Sequence, residues 1–161
     1  MTDYYKEKLK QGEEYQKFVE KVLKNVFSIE IVCYSDKRDQ YNIGENKQGI
    51  EIKYDHLFSK TGNLYIEVSE KTHPDNKKFI PSGIMRMDNS WLYLIGNYSF
   101  IFIFGKKTLV RLYNSRKFEE VGNDTSRGFL LHGSIAKQYA EVVMKNRKDH
   151  QRYKEAKARE S

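Results

Sequence analysis

Isoleucines and charges alternate in Ile50-Glu51-Ile52-Lys53. Successive side chains of an extended strand face opposite ways, so Glu51 and Lys53 share one face, ~7 Å apart along the chain, and the isoleucines share the other. A carboxylate and an ammonium so placed suit phosphodiester hydrolysis. Hard oxygen ligands hold Mg²⁺, which polarises a phosphoryl oxygen and activates water. A neighbouring ammonium orients that water and offsets charge developing on phosphorus. Glu45, set between Gly44 and Gly49 in the turn before the strand, offers a second carboxylate, and the backbone carbonyl of Ile52 offers a further ligand. The expected metal set is therefore Glu45, Glu51 and Ile52, holding Mg²⁺ or Mn²⁺.

Acid-x-Lys alone is a weak signal, since Glu45-Asn46-Lys47, Asp75-Asn76-Lys77 and Glu155-Ala156-Lys157 also match it. Only Glu51-Ile52-Lys53 lies between apolar neighbours in a strand-like segment behind an acidic turn. The competing reading is an ordinary ion pair on a solvated sheet face.

The elements that must position these groups follow from periodicity. Tyr15, Phe18, Val19, Val22, Leu23 and Val26 recur at helical spacing and predict an amphipathic helix over 12–25. Strands are expected over 29–34, 49–54 and 64–68, the last alternating Leu64, Ile66 and Val68 against Tyr65 and Glu67. A turn over 58–63 would lay the last two side by side and bring Glu67 onto the face of Glu51, although a solvent-exposed strand carboxylate is the other reading. A polar loop over 73–82 holds both prolines. Residues 91–95 and 100–104 read as a hairpin about Gly96-Asn97-Tyr98-Ser99. Helices are expected over 106–118 and 134–145, with a turn at Gly122-Asn123-Asp124 between them. A helix, several strands and more helix make an α/β or α+β sheet domain, expected over 1–146. The remaining 147–161 is a charged, basic tail, either a solvated extension or a phosphate-contacting arm.

Composition narrows the partners. The chain has 161 residues, 39% hydrophobic and 32% charged, with 12 Tyr and 9 Phe, which fits one folded domain rather than a disordered chain. With 29 Lys+Arg against 22 Asp+Glu the net charge is +7, which attracts polyanions, nucleic acid first among them. Cys33 is the single cysteine, so an intramolecular disulfide and a Cys-based zinc site are excluded. Its apolar neighbours predict a buried, inert thiol. The four histidines lack metal-ligand spacing, and His56, three residues after Lys53, is the one nearest the motif. Gly44 and Gly49 lack the Lys-Ser/Thr ending of a phosphate loop, and no nucleophile-elbow serine occurs. Trp91, Phe100, Phe102 and Phe104 are expected in the core. The polar first ten residues do not read as a signal peptide, and no apolar run is long enough for a bilayer, so a cytoplasmic, intracellular protein with no membrane partner is expected.

Glu45, Gly49-Ile50-Glu51-Ile52-Lys53-Tyr54-Asp55 and then Thr61-Gly62-Asn63-Leu64-Tyr65-Ile66-Glu67 together resemble the PD-(D/E)xK nuclease superfamily. The opening helix with Gly12-Glu13-Glu14-Tyr15 is similar to that family's first helix, and the resemblance covers roughly 12–71. It implies a restriction-endonuclease-like fold, a central mixed β-sheet flanked by helices, with Mg²⁺-dependent DNA cleavage by Glu45, Glu51, Lys53 and Glu67. No Pro-Asp precedes Glu51, so the first acid stands open among Asp36, Asp39 and Glu45. Glu45 is favoured because its glycine-flanked turn can bend it toward Glu51. Glu14 occupies the place of an accessory acid in the family, against the reading of an ordinary acid at a helix start, and Lys71 could assist near phosphate. The implied partner is DNA, met as a homodimer or as a subunit of a larger DNA-processing complex. A nuclease-fold subunit that binds DNA or a partner without cutting is the alternative, and a second acid joining Glu51 and Lys53 in space separates the two.

Overall fold

Thr2 starts the first helix, its hydroxyl accepting the Tyr5 amide at 3.3 Å. In the computed structural model, which describes residues 2–146 and Arg159, α1 then runs Asp3–Phe27 until Ser28 turns left-handed and returns its amide to the Leu23 and Lys24 carbonyls. This helix is longer than the expected 12–25 because its polar first turns, rich in Lys, Glu and Gln, carry helix propensity without an apolar stripe. Next come α2 (Lys37–Asn42), β1 (Ile50–Tyr54), α3 (Phe58–Thr61), β2 (Asn63–Glu70) and β3 (Ile80–Pro81). The second half holds β4 (Leu92–Gly96), β5 (Phe100–Gly105), α4 (Lys106–Asn114), β6 (Glu120–Gly122), β7 (Ser126–His132), α5 (Gly133–Tyr139) and β8 (Val142–Lys145).

Among the described residues the strands form two sheets, ordered β1-β4-β5-β8 and β3-β2-β7-β6, so the chain is mixed α+β and the single central sheet expected from the sequence is corrected. In the first sheet β1 runs parallel to β4, with Glu51 opposite Tyr93 and Lys53 opposite Ile95, while β4–β5 and β5–β8 are antiparallel. The second is antiparallel throughout. The expected pairing of the Glu51 and Glu67 strands does not form. The stretch 58–63 is a helical turn closed by left-handed Gly62, and β2 leaves it to pair with β7 and β3.

The first sheet is covered on both faces. Ile50, Leu94, Ile101 and Ile103 pack under Tyr15, Val19 and Leu23 of α1. Tyr93, Ile95, Phe102 and Phe104 face the other way, against Leu64, Ile66, Phe129 and Leu131 of the second sheet and Leu109 and Leu112 of α4. Double coverage explains why β4 and β5 read as continuous apolar runs. Each such fully buried side chain contributes roughly 1.5–3 kcal/mol.

Other expectations are corrected by pairing that propensity cannot see. Residues 29–34 form no strand beyond one bridge from Cys33 to Asn46. The helix expected over 134–145 stops at Tyr139, because Val142 and Val143 join the open edge of β5 opposite Ile103 and Phe102. The helix over 106–118 ends at Asn114, the loop over 73–82 contains β3, and β7 was not anticipated at all. The Cys33 thiol is exposed. Trp91 is 60% exposed, its indole donating to the Gln48 carbonyl at 2.8 Å. The basic tail at 147–161 lies outside the described residues apart from Arg159. No helix among them is long and apolar enough to cross a membrane.

Candidate active site

Asn46 shapes the turn that carries Glu45. Buried at 1% exposure, its side chain accepts the Ile50 amide at 3.0 Å and donates to the Ile50 carbonyl at 2.6 Å, taking the place of a neighbouring strand on the outer edge of β1. Asn89 holds it from behind by donating to the Asn46 carbonyl at 2.8 Å. Gly49, at φ +69°, completes the bend: a Cβ there would lie 2.5 Å from the Asn89 carbonyl oxygen and 2.8 Å from the Trp91 ring. Backbone groups alternate sides along a strand, so the Ile52 carbonyl faces the same outer edge as that of Ile50.

Glu51 is 7% exposed, and its Oε1 lies 2.9 Å from the half-exposed Lys53 ammonium. Burial pushes the Glu45 carboxyl above its usual range, and the like charge of Glu51 adds to the push against the pull of Lys53 and Arg86. For Lys53 the surrounding protein disfavours the ammonium, but the charge and hydrogen bond of Glu51, helped by Glu67 and Glu45, outweigh this and raise it above its usual range. Glu45 and Lys53 thus both sense the charge of Glu51, and Lys53 senses that of Glu67 as well.

An open cleft of about 350 Å³ contains Glu45, Glu51, Ile52 and Lys53, with Glu13 and Gln16 of α1 and His56 on its walls. The structure thus brings together the expected metal set and its lysine. Asp36 is spent elsewhere, capping α2 by accepting the Arg38 amide at 2.7 Å, and Asp39 is exposed within α2; neither lines the cleft. Of the two readings of Glu14, the accessory acid is the one the structure does not support. Glu14 borders a depression with Lys17 and Phe18 on another side of α1, and the acid that α1 brings to the cleft is Glu13. Only the rotational phase of α1 against β1 distinguishes the two, and that is a tertiary property. Lys8 reaches the same wall, its Nζ 2.9 Å from His56 Nε2. Lys71 lines neither cleft; its ammonium lies 4.6 Å from the centre of the Phe79 ring.

Glu67 arrives from the second sheet. It lines a larger cleft of about 530 Å³ together with Lys53, and Lys53, Tyr54 and His56 border both spaces. Ser82 and Ser126 donate to its two carboxylate oxygens, each at 2.9 Å. No sequence signal singled out these serines, which lie 15 and 59 residues from it. Asp55 ties the strands around the site: its carboxylate accepts the Phe58 amide at 3.1 Å and the Tyr65 amide at 2.8 Å.

No three His, Cys, Asp or Glu side chains among the described residues are gathered as a ready-made ion cage. The donors in the smaller cleft nonetheless suit Mg²⁺, which takes one or two carboxylates and keeps several waters. They are two carboxylates that repel each other and a backbone carbonyl, all hard oxygens. Compared with family models, curated proteins and solved structures, the chain finds no match.

Proposed function

We propose that this protein is a Mg²⁺-dependent endonuclease that hydrolyses DNA phosphodiester bonds, of restriction, phage or recombination type. The observation that carries the reading is the convergence of Glu45, Glu51, the Ile52 carbonyl and Lys53 on one open cleft, with the Lys53 ammonium 2.9 Å from Glu51. The resemblance of 12–71 to the PD-(D/E)xK superfamily supports it. So does the packing of α1 on a mixed sheet whose edge strand bears the Glu-x-Lys pair, which we read as a variant of the restriction-endonuclease-like fold.

Glu45, Glu51 and the Ile52 carbonyl would hold the ion. When bound, Mg²⁺ supplies polarisation of the phosphoryl oxygen and a more acidic water. Lys53, kept charged beside Glu51, orients the attacking water and offsets negative charge on the phosphorus oxygens. Glu67, fixed by Ser82 and Ser126, faces Lys53 from the adjoining cleft and helps keep its ammonium protonated. The net charge of +7 supplies the attraction for the phosphate backbone.

The test is relaxation of supercoiled plasmid with Mg²⁺, Mn²⁺ or Ca²⁺, beside calorimetry of ion binding. Mg²⁺ and Mn²⁺ should support cutting, and Ca²⁺ should bind with little cutting because its looser coordination places the water poorly. Wild-type protein that cuts no DNA with Mg²⁺ or Mn²⁺ and binds no ion near Glu51 would overturn the reading in favour of a binding-only subunit.

A further inference from the structure

We propose that the larger cleft receives one unstacked nucleotide adjoining the phosphate held at Lys53, so that single-stranded or locally opened DNA is preferred over intact duplex. This rests on the nuclease reading and names its substrate class.

Position comes first. Lys53, Tyr54 and His56 form a wall common to the cutting cleft and the larger one, so a strand whose phosphate meets Lys53 has its neighbouring base at the larger opening. Size comes second. A space of about 530 Å³ falls within the ~300–1,000 Å³ of small-molecule sites. A base can enter it only after leaving the stack of a duplex.

Chemistry is the third argument. The floor is the outer face of the second sheet, where Tyr65 stands opposite Leu130, and Val121 lies in the next row. A Cβ on Gly128 would lie 2.9 Å from a Tyr65 ring carbon, so the ring lies across β7 where only glycine leaves room. The Tyr65 hydroxyl meets Ser126 Oγ at 2.6 Å, which fixes the ring in place. A fixed aromatic ring on an apolar floor is a stacking platform that any base can use. Asn63 and Asn123 line the same cleft, and with its Oδ1 accepting the Thr125 and Ser126 amides Asn123 keeps its Nδ2 for the edge of an extruded base. The two carboxylates in the cleft are already turned to internal donors, Glu67 to Ser82 and Ser126 and Asp55 to the Phe58 and Tyr65 amides.

The experiment measures binding of the full chain to a fluorescent oligonucleotide, as single strand and as blunt duplex of equal length, at one salt concentration and with the divalent ion chelated. A 2-aminopurine in the strand reports stacking. Single strand should bind ~10-fold or more tighter than duplex, because stacking on a protein ring contributes on that scale. Tyr65→Leu removes the stacking ring but keeps apolar bulk, and should lose ~10-fold on single strand while changing duplex binding less than ~2-fold. Tyr65→Phe keeps the ring and should keep the preference. Equal affinity for the two DNA forms, or single-strand binding untouched by folded Tyr65→Leu, overturns the proposal. Because no ion is present, the outcome is separate from cleavage: strand preference without cutting would sink the nuclease reading alone, and cutting without strand preference would sink the pocket alone.

Discussion

Lys53 is the residue on which both clefts converge, and the charges around it separate its role from that of Glu51. Glu51 is buried and acts on Glu45 as a like charge, which an ion between them would relieve. Lys53 is half-exposed and kept protonated by carboxylates, so in the proposed reaction it acts on phosphate and water rather than on the ion. Glu51→Gln, which keeps shape but removes charge, should therefore abolish both ion binding by calorimetry and plasmid cutting. Lys53→Ala should spare most ion binding and lower the cutting rate ~10²–10³-fold, the cost of deleting one preorganised electrostatic group. Equal loss of ion binding in the two variants would contradict the assignment. Glu51, Lys53 and the Ile52 carbonyl were legible in the sequence because side-chain alternation is a local property of a strand. Glu45 was legible because glycines bound its turn. Glu67 was expected for a reason that failed, pairing of β1 with β2, and reaches Lys53 from another sheet. Glu13, Ser82 and Ser126 were illegible, since each depends on how separate elements meet.

A partly buried charge cluster joins the elements around β4. The Lys106 ammonium, in the first residue of α4, lies 2.7 Å from the Arg86 carbonyl, 3.0 Å from Asp88 Oδ1 and 3.1 Å from Ser90 Oγ. The Arg86 guanidinium in turn donates to the carbonyls of Gln40 and Tyr41 in α2 at 2.8 and 2.7 Å. Burial alone would raise the Asp88 carboxyl, but donation from Ser90 and Lys106 outweighs it and leaves the carboxyl below its usual range. A folded value below the unfolded one means that Asp88 adds stability that is fully present above the unfolded carboxylate range. That stability is lost as pH falls through the lower folded value. Asp88→Asn should cost about 1–3 kcal/mol near neutral pH, because it leaves the partly buried Lys106 ammonium beside a neutral group. It should also flatten the loss of stability as pH falls below the unfolded carboxylate range. Urea unfolding across that range checks both, and an acid limb unchanged in the variant would refute the account. At this scale α1 and the β4–β5 hairpin were readable because stripe and turn are local. β7 and β8 were not, because a short strand is defined by the edge it joins: Val142 and Val143 suit a helix face or a sheet edge, and β5 decides.

The described residues carry one Glu-x-Lys cleft on a chain of net charge +7. The charge bears on affinity rather than on where the backbone is cut: binding to any DNA should weaken with salt, log K falling with log salt by about 0.9 for each duplex phosphate neutralised. One cleft acts on one strand, so breaking both strands of a duplex takes two copies or two encounters. Closed two-fold pairs are the commonest assemblies, and such a pair matches the approximate two-fold symmetry relating the strands of a duplex. We therefore expect a homodimer on duplex DNA. Light scattering of the protein free and bound to duplex measures the mass, and plasmid products measure the consequence. A dimer should convert supercoiled plasmid to linear form with little nicked circle building up. A monomer in both states, with nicked circle as the lasting product, would remove the homodimer and leave a single-strand cutter or a subunit completed by another chain. The strand-preference measurement separates those two, because a self-sufficient single-strand cutter needs its own site for the unstacked nucleotide, whereas a subunit can take that site from its partner.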